Sequence, residues 1–138
     1  MRKLSLDGKV IQDNSDCYTI AEIGHNHQGK LETAKEMFRV AKECGADAVK
    51  LQKRDNRSLF TKAGYAKPYD NPNSFGETYG EHREFLEFGW IEYKELMQYA
   101  DEIGVTMFST ARAGSSVRAT MISAARRPIS SRRFCRRS

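Results

Sequence analysis

The last 27 residues, from Arg112 to Ser138, contain no aspartate, no glutamate and no lysine. Eight arginines stand there alone, a net of +8, whereas residues 1–111 set ten lysines and five arginines against eighteen acids, a net of −3. The formal charge of +5 therefore describes neither part, and the chain reads as two unlike segments, 1–111 and 112–138. Cysteine is scarce: Cys17, Cys44 and Cys135 are odd in number and far apart. That spacing excludes a disulfide framework and a zinc-type cluster, and it fits a reducing cytoplasm. No apolar stretch approaches the length of a membrane span. Met1 to Val10 lacks the apolar core of a signal peptide, so none is expected there. No repeat of 20–50 residues occurs.

What remains is a patterned chain of 138 residues, long enough for one domain with a core. Residues 18–23 (YTIAEI) read as a strand broken by Gly24, and the near-continuous apolar run suits a strand covered on both faces. Over 31–44, Leu31, Ala34, Met37, Phe38, Ala41 and Cys44 fall on one helical stripe, and Gly45 ends it. Residues 47–52 (DAVKLQ) form a second strand, completing a right-handed βαβ unit. Residues 53–89 form a long insertion with turns at Pro68 and Pro72. Its seven aromatics, Phe60, Tyr65, Tyr69, Phe75, Tyr79, Phe85 and Phe88, argue for an ordered functional loop with helical turns near 58–62 and 81–88. A helix over 90–103 carries the stripe Trp90, Tyr93, Leu96, Met97, Ala100 and Ile103. Residues 105–110 form a third strand. Strands alternating with helices indicate an α/β fold with a parallel sheet.

Within these strands some residues are polar where apolar ones are expected. Alternation sends Glu22 away from Ala21 and Ile23, and puts Lys50 and Gln52 on the face opposite Val49 and Leu51. Polar groups near the C-terminal ends of parallel strands line the ligand side of such folds, and Glu22, Lys50, Gln52 and Thr110 all sit there. An acid beside a lysine suits an anionic substrate and proton transfer. A structural ion pair is the alternative. His25 and His27, two residues apart after the first strand, raise a second alternative, a divalent-metal site of a metal-dependent hydrolase. Lys53, Arg54 and Arg57 could form an anion-attracting rim, or a plain solvated face.

"AEIGHNHQG" at 21–29, "AKECGADAVKLQ" at 41–52 and "FSTA" at 108–111 resemble the N-acetylneuraminate (sialic acid) synthase family, which includes legionaminate, pseudaminate and spore-coat polysaccharide synthases. The resemblance covers about residues 15–111, with three motifs in order at three successive strand ends. It implies the N-terminal portion of a (β/α)8 TIM barrel, about three strands and two main helices. It also implies condensation of phosphoenolpyruvate with an N-acetylated, N-acetylmannosamine-like amino sugar to a nine-carbon 2-keto acid. In that reaction C3 of phosphoenolpyruvate attacks the sugar aldehyde, water adds at C2 and phosphate leaves, with a divalent metal, Mn²⁺ or Mg²⁺, polarising the aldehyde. Carried over residue by residue, Glu22 is the glutamate acting near the reacting carbons, Lys50 binds the phosphoenolpyruvate anion, and Gln52 and Thr110 contact substrate. Asn26 and His27 match an Asn-His pair that shapes the strand-1 loop. His25 stands where many members carry an apolar residue, which weakens the metal pair. The family's metal-binding histidines come later in the barrel, so the metal ligands are expected outside this chain. The same resemblance implies homodimerisation of the intact enzyme, with no membrane and no nucleic acid among its partners.

After "FSTA" the family continues with a Phe-Asp pair and later a "KIASGD"-like strand with a second phosphate-binding lysine, but here the chain reads "RAGSSVRATMISAARRPISSRRFCRRS". The expectation is an incomplete barrel domain over 1–111. An unrelated basic tail is expected over 112–138, out of frame by composition and disordered. Three strands cannot close a barrel of about 250 residues, so the chain as it stands is expected to lack synthase activity. A dedicated nucleic-acid- or anionic-membrane-binding tail is the rival reading of the arginines.

Overall fold

The computed structural model describes residues 2–112. The chain opens with an antiparallel hairpin, β1 (Lys3–Leu6) and β2 (Lys9–Gln12). Next comes a three-stranded parallel sheet, in the order β3 (Ile20–Gly24), β4 (Ala48–Arg54) and β5 (Thr106–Arg112). The helix α1 (Leu31–Glu43) connects the first pair. Between β4 and β5 come three short helices, α2 (Asn56–Leu59), α3 (Lys62–Tyr65) and α4 (Tyr79–Phe85), and then the long α5 (Trp90–Ile103). The α/β reading with a parallel sheet is therefore observed, with strand limits moved by one or two residues. The strand β5 runs one residue beyond Ala111 to take in Arg112. The rest of the expected basic tail, with Cys135, lies outside the described residues.

The core lies between the sheet and its two long helices. Val49 and Leu51 of β4 meet Ala34 and Phe38 of α1 and Tyr93, Leu96 and Ala100 of α5. Phe38, Leu51, Leu96 and Val49 are all but fully buried, each stabilising the fold by about 1.5–3 kcal/mol. Lys35 bonds Glu95 across the two helices at 2.6 Å. Both helices end as the pattern requires, α5 on Gly104 with φ 69° and α1 one residue before Gly45 with φ 88°. Two stripe positions depart from expectation. Trp90, the first residue of its helix, is half exposed. Cys44 is exposed because it caps α1 rather than continuing it.

The opening hairpin is not among the expected elements. Its turn is Asp7-Gly8, both at positive φ, 49° and 79°, the backbone of a two-residue turn that favours Asp-Gly. Lys9 Nζ anchors the hairpin to the N-terminal end of the sheet by reaching both Asp47 oxygens at 2.9 and 3.0 Å. Asp47 also accepts the Thr19 N–H at 2.7 Å, and these bonds hold its carboxyl below the usual carboxylate range.

The insertion is ordered, as its aromatics suggest, with three helical turns rather than two. Tyr69 N–H donates to Glu77 O at 3.0 Å and Tyr79 N–H to Lys67 O at 2.9 Å, closing a narrow neck. Around it Phe60, Tyr79, Tyr69 and His82 pack ring against ring at 4.6–6.5 Å, and Phe75 stacks on Phe85 at 4.6 Å. Thr78 and Glu81 make the reciprocal capping pair that starts α4. Among the described residues no helix is long and apolar enough to cross a membrane.

Candidate active site

Register decides which side chains meet. Glu22 of β3 lies beside Lys50 of β4, which lies beside Phe108 of β5; one step further, Gln52 lies beside Thr110, and one more, Arg54 beside Arg112. Parallel neighbours in register share a face, so these residues form successive rows on the face away from α1 and α5. Glu22 and Lys50 make an ion pair. Both are partly exposed, with 44% and 29% of their side-chain surface open. Such a pair adds only about 0–1 kcal/mol to stability. The sequence-derived set of Glu22, Lys50, Gln52 and Thr110 is therefore brought together on one open face.

Between Glu22 and Gly24 the register slips by one residue. The bulge turns the end of β3 into a tight loop over 25–29. Gly24 has φ 56°, and a Cβ there would sit 3.5 Å from Glu22 Oε1 and 3.8 Å from Gln52 Nε2. Those are ordinary contact distances, so it is the positive φ, not lack of room, that favours glycine here. Asn26, although exposed, folds its side-chain amide onto Ile23 O at 3.0 Å. It shapes the loop directly.

The two histidines have different surroundings. His27 is 2% exposed, stacks on Phe88 with ring centroids 3.9 Å apart, and accepts the Gly29 N–H on Nδ1 at 3.1 Å. Burial, with His25 nearby, pushes its pKa down to about 4, so the neutral ring carries its proton on Nε2. His25 Nε2 lies 2.9 Å from Glu87 Oε1, within ion-pair range but out of line for a hydrogen bond. The rings stand edge to face, 5.9 Å apart. No group of three or more His, Cys, Asp or Glu side chains among the described residues is placed to hold a metal ion. His27 accepts a hydrogen bond on Nδ1 and so carries its proton on Nε2, which leaves it no lone pair for an ion, and His25 and His27 do not fit the divalent-metal pair of the hydrolase reading.

Glu87 is the residue that sequence reasoning missed. Its side chain is 6% exposed. Oε2 accepts the Arg54 N–H at 3.1 Å and meets Lys53 Nζ at 3.2 Å, while Lys53 Nζ also donates to Phe88 O at 2.7 Å. Burial alone would raise the Glu87 pKa, but His25, the Arg54 N–H and Lys53 outweigh it and hold it below the usual range. Lys53 is thereby removed from the anion-attracting rim: it faces a carboxylate inside the fold. Arg57 stays outside, over the Tyr65 ring at 5.5 Å. Arg54 does join the open face, donating from Nη2 to Gln52 Oε1 at 2.6 Å. Under the sheet, Tyr93 Oη donates to Gln52 O at 3.2 Å and meets Ser109 Oγ at 3.2 Å. Burial raises its pKa to about 12, so it stays a neutral donor fixing the backbone beneath Gln52 and Thr110.

A family model described as the NeuB family matches residues 37–131. The chain belongs to the NeuB family. The match begins within α1 and reaches into the arginine-rich segment, so it covers the β4 and β5 motifs but not "AEIGHNHQG". The NeuB chain is 47% identical over 98 residues to the N-acetylneuraminate-9-phosphate synthase of Homo sapiens, covering 71% of this chain and 27% of that protein. It is 37% identical over 95 residues to the N,N'-diacetyllegionaminic acid synthase of Legionella pneumophila, 68% of this chain and 27% of that protein. A crystal structure of N-acetylneuraminic acid (sialic acid) synthetase from Leptospira borgpetersenii superposes with a TM-score of 0.67 at 22% identity, over 90% of this chain and 39% of that chain. That likeness shows the fold: the parallel α/β segment is similar to part of the sialic acid synthetase fold. The chain spans about a quarter of the length of the curated relatives it matches.

Proposed function

We propose that this NeuB segment supplies the first strand ends of a synthase that condenses phosphoenolpyruvate with an N-acetylated amino sugar, giving a sialic-acid-type 2-keto acid and phosphate. The observation that carries this reading is the Glu22–Lys50 pair set abreast on the open face of the sheet, with Gln52 and Thr110 in the next row. So exposed a pair contributes little to stability, which favours a chemical role over a structural one. Lys50 would hold the phosphoenolpyruvate anion, and Glu22 would be the catalytic carboxylate that moves a proton or orients water near the reacting carbons. Gln52 and Thr110 would meet substrate hydroxyls, with Asn26 and His27 fixing the loop that borders them.

The human relative is named for a 9-phosphate product. Condensation adds three carbons at the aldehyde end of a hexose, so the same outcome here requires an acceptor phosphorylated on its sixth carbon. Mn²⁺ or Mg²⁺, where the whole enzyme uses it, takes ligands beyond the described residues. A change of character after Ala111, within a family match that continues to residue 131, a homodimeric intact form and a cytoplasmic setting without nucleic acid all belong to the same proposal. Cys17 and Cys44, exposed and free, suit that setting. The hydrolase reading through His25 and His27 has less support, because His27 is buried, stacked and already accepting a hydrogen bond.

Titration of the purified full chain with phosphoenolpyruvate tests the proposal. Saturable binding lost in Lys50→Ala is expected. Binding that survives that change counts against the assignment. No condensation product is expected from this chain alone with N-acetylmannosamine and Mn²⁺, because the three parallel strands of the described residues do not close a barrel. Product formation would refute that part.

A further inference from the structure

The insertion holds a cavity of about 300 Å³ lined by Arg57, Phe60, Lys62 and Tyr65. It lies where α2 gives way to α3: α2 ends at Leu59, Phe60 follows, and Lys62 opens α3. None of the four residues belongs to the sheet, and none has a part in the proposed condensation. The two rings are fixed from behind. Tyr65 seats against α4 so closely that a Cβ at Gly80 would collide with its ring, so the glycine is what admits it. Tyr65 Oη donates to Glu84 Oε1 at 3.3 Å. Phe60 meets Tyr79 edge to face, with ring centroids 5.1 Å apart. Walls held in this way are ordered before any ligand arrives, which lowers the cost of binding.

The two cations, in contrast, are uncommitted. Arg57 stands over the Tyr65 ring at 5.5 Å. Its ion-pair partner among the described residues, Glu84, is 3.8 Å from Nε, and 81% of the arginine side chain is open. Lys62 is exposed and makes no ion pair among the described residues. Two positive charges therefore face one carboxylate, itself shared with Tyr65. Small-molecule sites combine mostly apolar walls with a few charged groups, in volumes from about 300 Å³ upward. Flat rings stack on aromatic side chains and on guanidinium planes, and phosphate oxygens pair with guanidinium and ammonium groups. A simple anion would use the cations and leave the rings wet. A neutral ring would leave the cations unused. A ligand that is both flat and anionic engages all four residues.

We propose that the insertion carries a binding site for a nucleoside phosphate, with its base against Phe60 and Tyr65 and its phosphate on Arg57 and Lys62. The site is separate from the Glu22–Lys50 row and does not depend on the synthase reading. It gives Arg57 an anion-binding role apart from the sheet.

Calorimetric titrations of the folded full chain test this, with AMP and CMP as probes and adenosine, cytidine and inorganic phosphate as their parts. At least one nucleotide should bind more tightly than both its nucleoside and inorganic phosphate. Arg57→Gln and Lys62→Gln, exposed changes checked for native circular dichroism, should each weaken that nucleotide by about fivefold or more. Tyr65→Leu should do the same through loss of stacking, while leaving the weak binding of inorganic phosphate unchanged. Lys50→Ala should leave nucleotide binding intact. Binding of neither nucleotide, a nucleoside or inorganic phosphate binding as tightly as the nucleotide, or no effect of the Arg57, Lys62 and Tyr65 changes would each overturn the site. Loss of nucleotide binding in Lys50→Ala would overturn it too, by moving the ligand to the open face of the sheet.

Discussion

The two faces of the central sheet come from the same three strands, yet they do different work. On one, Val49 and Leu51 pack among Phe38, Leu96 and Tyr93. On the other, one residue away at each step, stand Glu22, Lys50, Gln52, Thr110 and Arg54. A period of two lets a single strand hold the fold with its odd positions and present chemistry with its even ones. Stability and reactivity are thereby separated at a distance of one residue, and substitutions should divide cleanly between them.

The largest effect is expected on the packed face. Leu96→Ala should cost about 2–5 kcal/mol, read as a drop in the urea midpoint of the full chain; a smaller loss would mean that the face is loosely packed. His27, at the border of the two faces, should make stability depend on pH. Its folded pKa of about 4 lies below the ordinary value of 6.5, so the unfolded state takes up the proton first. Stability is then complete above about pH 6.5 and falls as pH drops towards 4, by up to about 3 kcal/mol. Chemical denaturation across that range should show the slope, and His27→Gln should flatten it.

A change in the loop bordering the open face should be intermediate. Gly29 has φ 72°, and a Cβ there would lie 2.6 Å from Phe85 O. Gly29→Ala should therefore destabilise by about 1–3 kcal/mol in thermal melts. The smallest effect belongs to the open face itself. Glu22→Gln should change stability by no more than about 1 kcal/mol. A loss as large as that of Leu96→Ala would show that the ion pair is structural and that the two faces are not separate.

This division was largely legible in the sequence because both periodicities are local. The stripe of Leu31, Ala34, Met37, Phe38 and Ala41 and the alternation Val49-Lys50-Leu51-Gln52 each lie within one element, so the buried and open sides can be read from a few consecutive letters. Interactions across the chain were not legible. Glu87 reaches Lys53 and Arg54 from 34 and 33 residues away, and nothing in "EFLEFGW" marks its carboxylate as buried. For the same reason Lys53 and Arg54, adjacent and chemically alike, could not be told apart: one is held inside by Glu87 and the other joins Gln52. The hairpin was a different kind of miss. The Asp-Gly signal at 7–8 and the alternation Lys3-Leu4-Ser5-Leu6 before it were both present, but each strand is only four residues long, and β1 is exposed on both faces, so no buried side marked them out.

The Glu87 carboxylate also has a topological consequence. By bonding the Arg54 N–H at 3.1 Å, it pins together the two ends of the segment between them, so residues 55–86 form a closed lobe whose entry and exit coincide. A protease cut in the exposed turn at 70–73 would leave two pieces held by Glu87, by the neck between Lys67 and Tyr79 and by the ring contacts. They would travel as one particle through a sizing column and separate only in denaturant. The lobe is therefore a replaceable cassette: its length and sequence can change between fixed ends while Lys50 and Gln52 stay in place on the sheet.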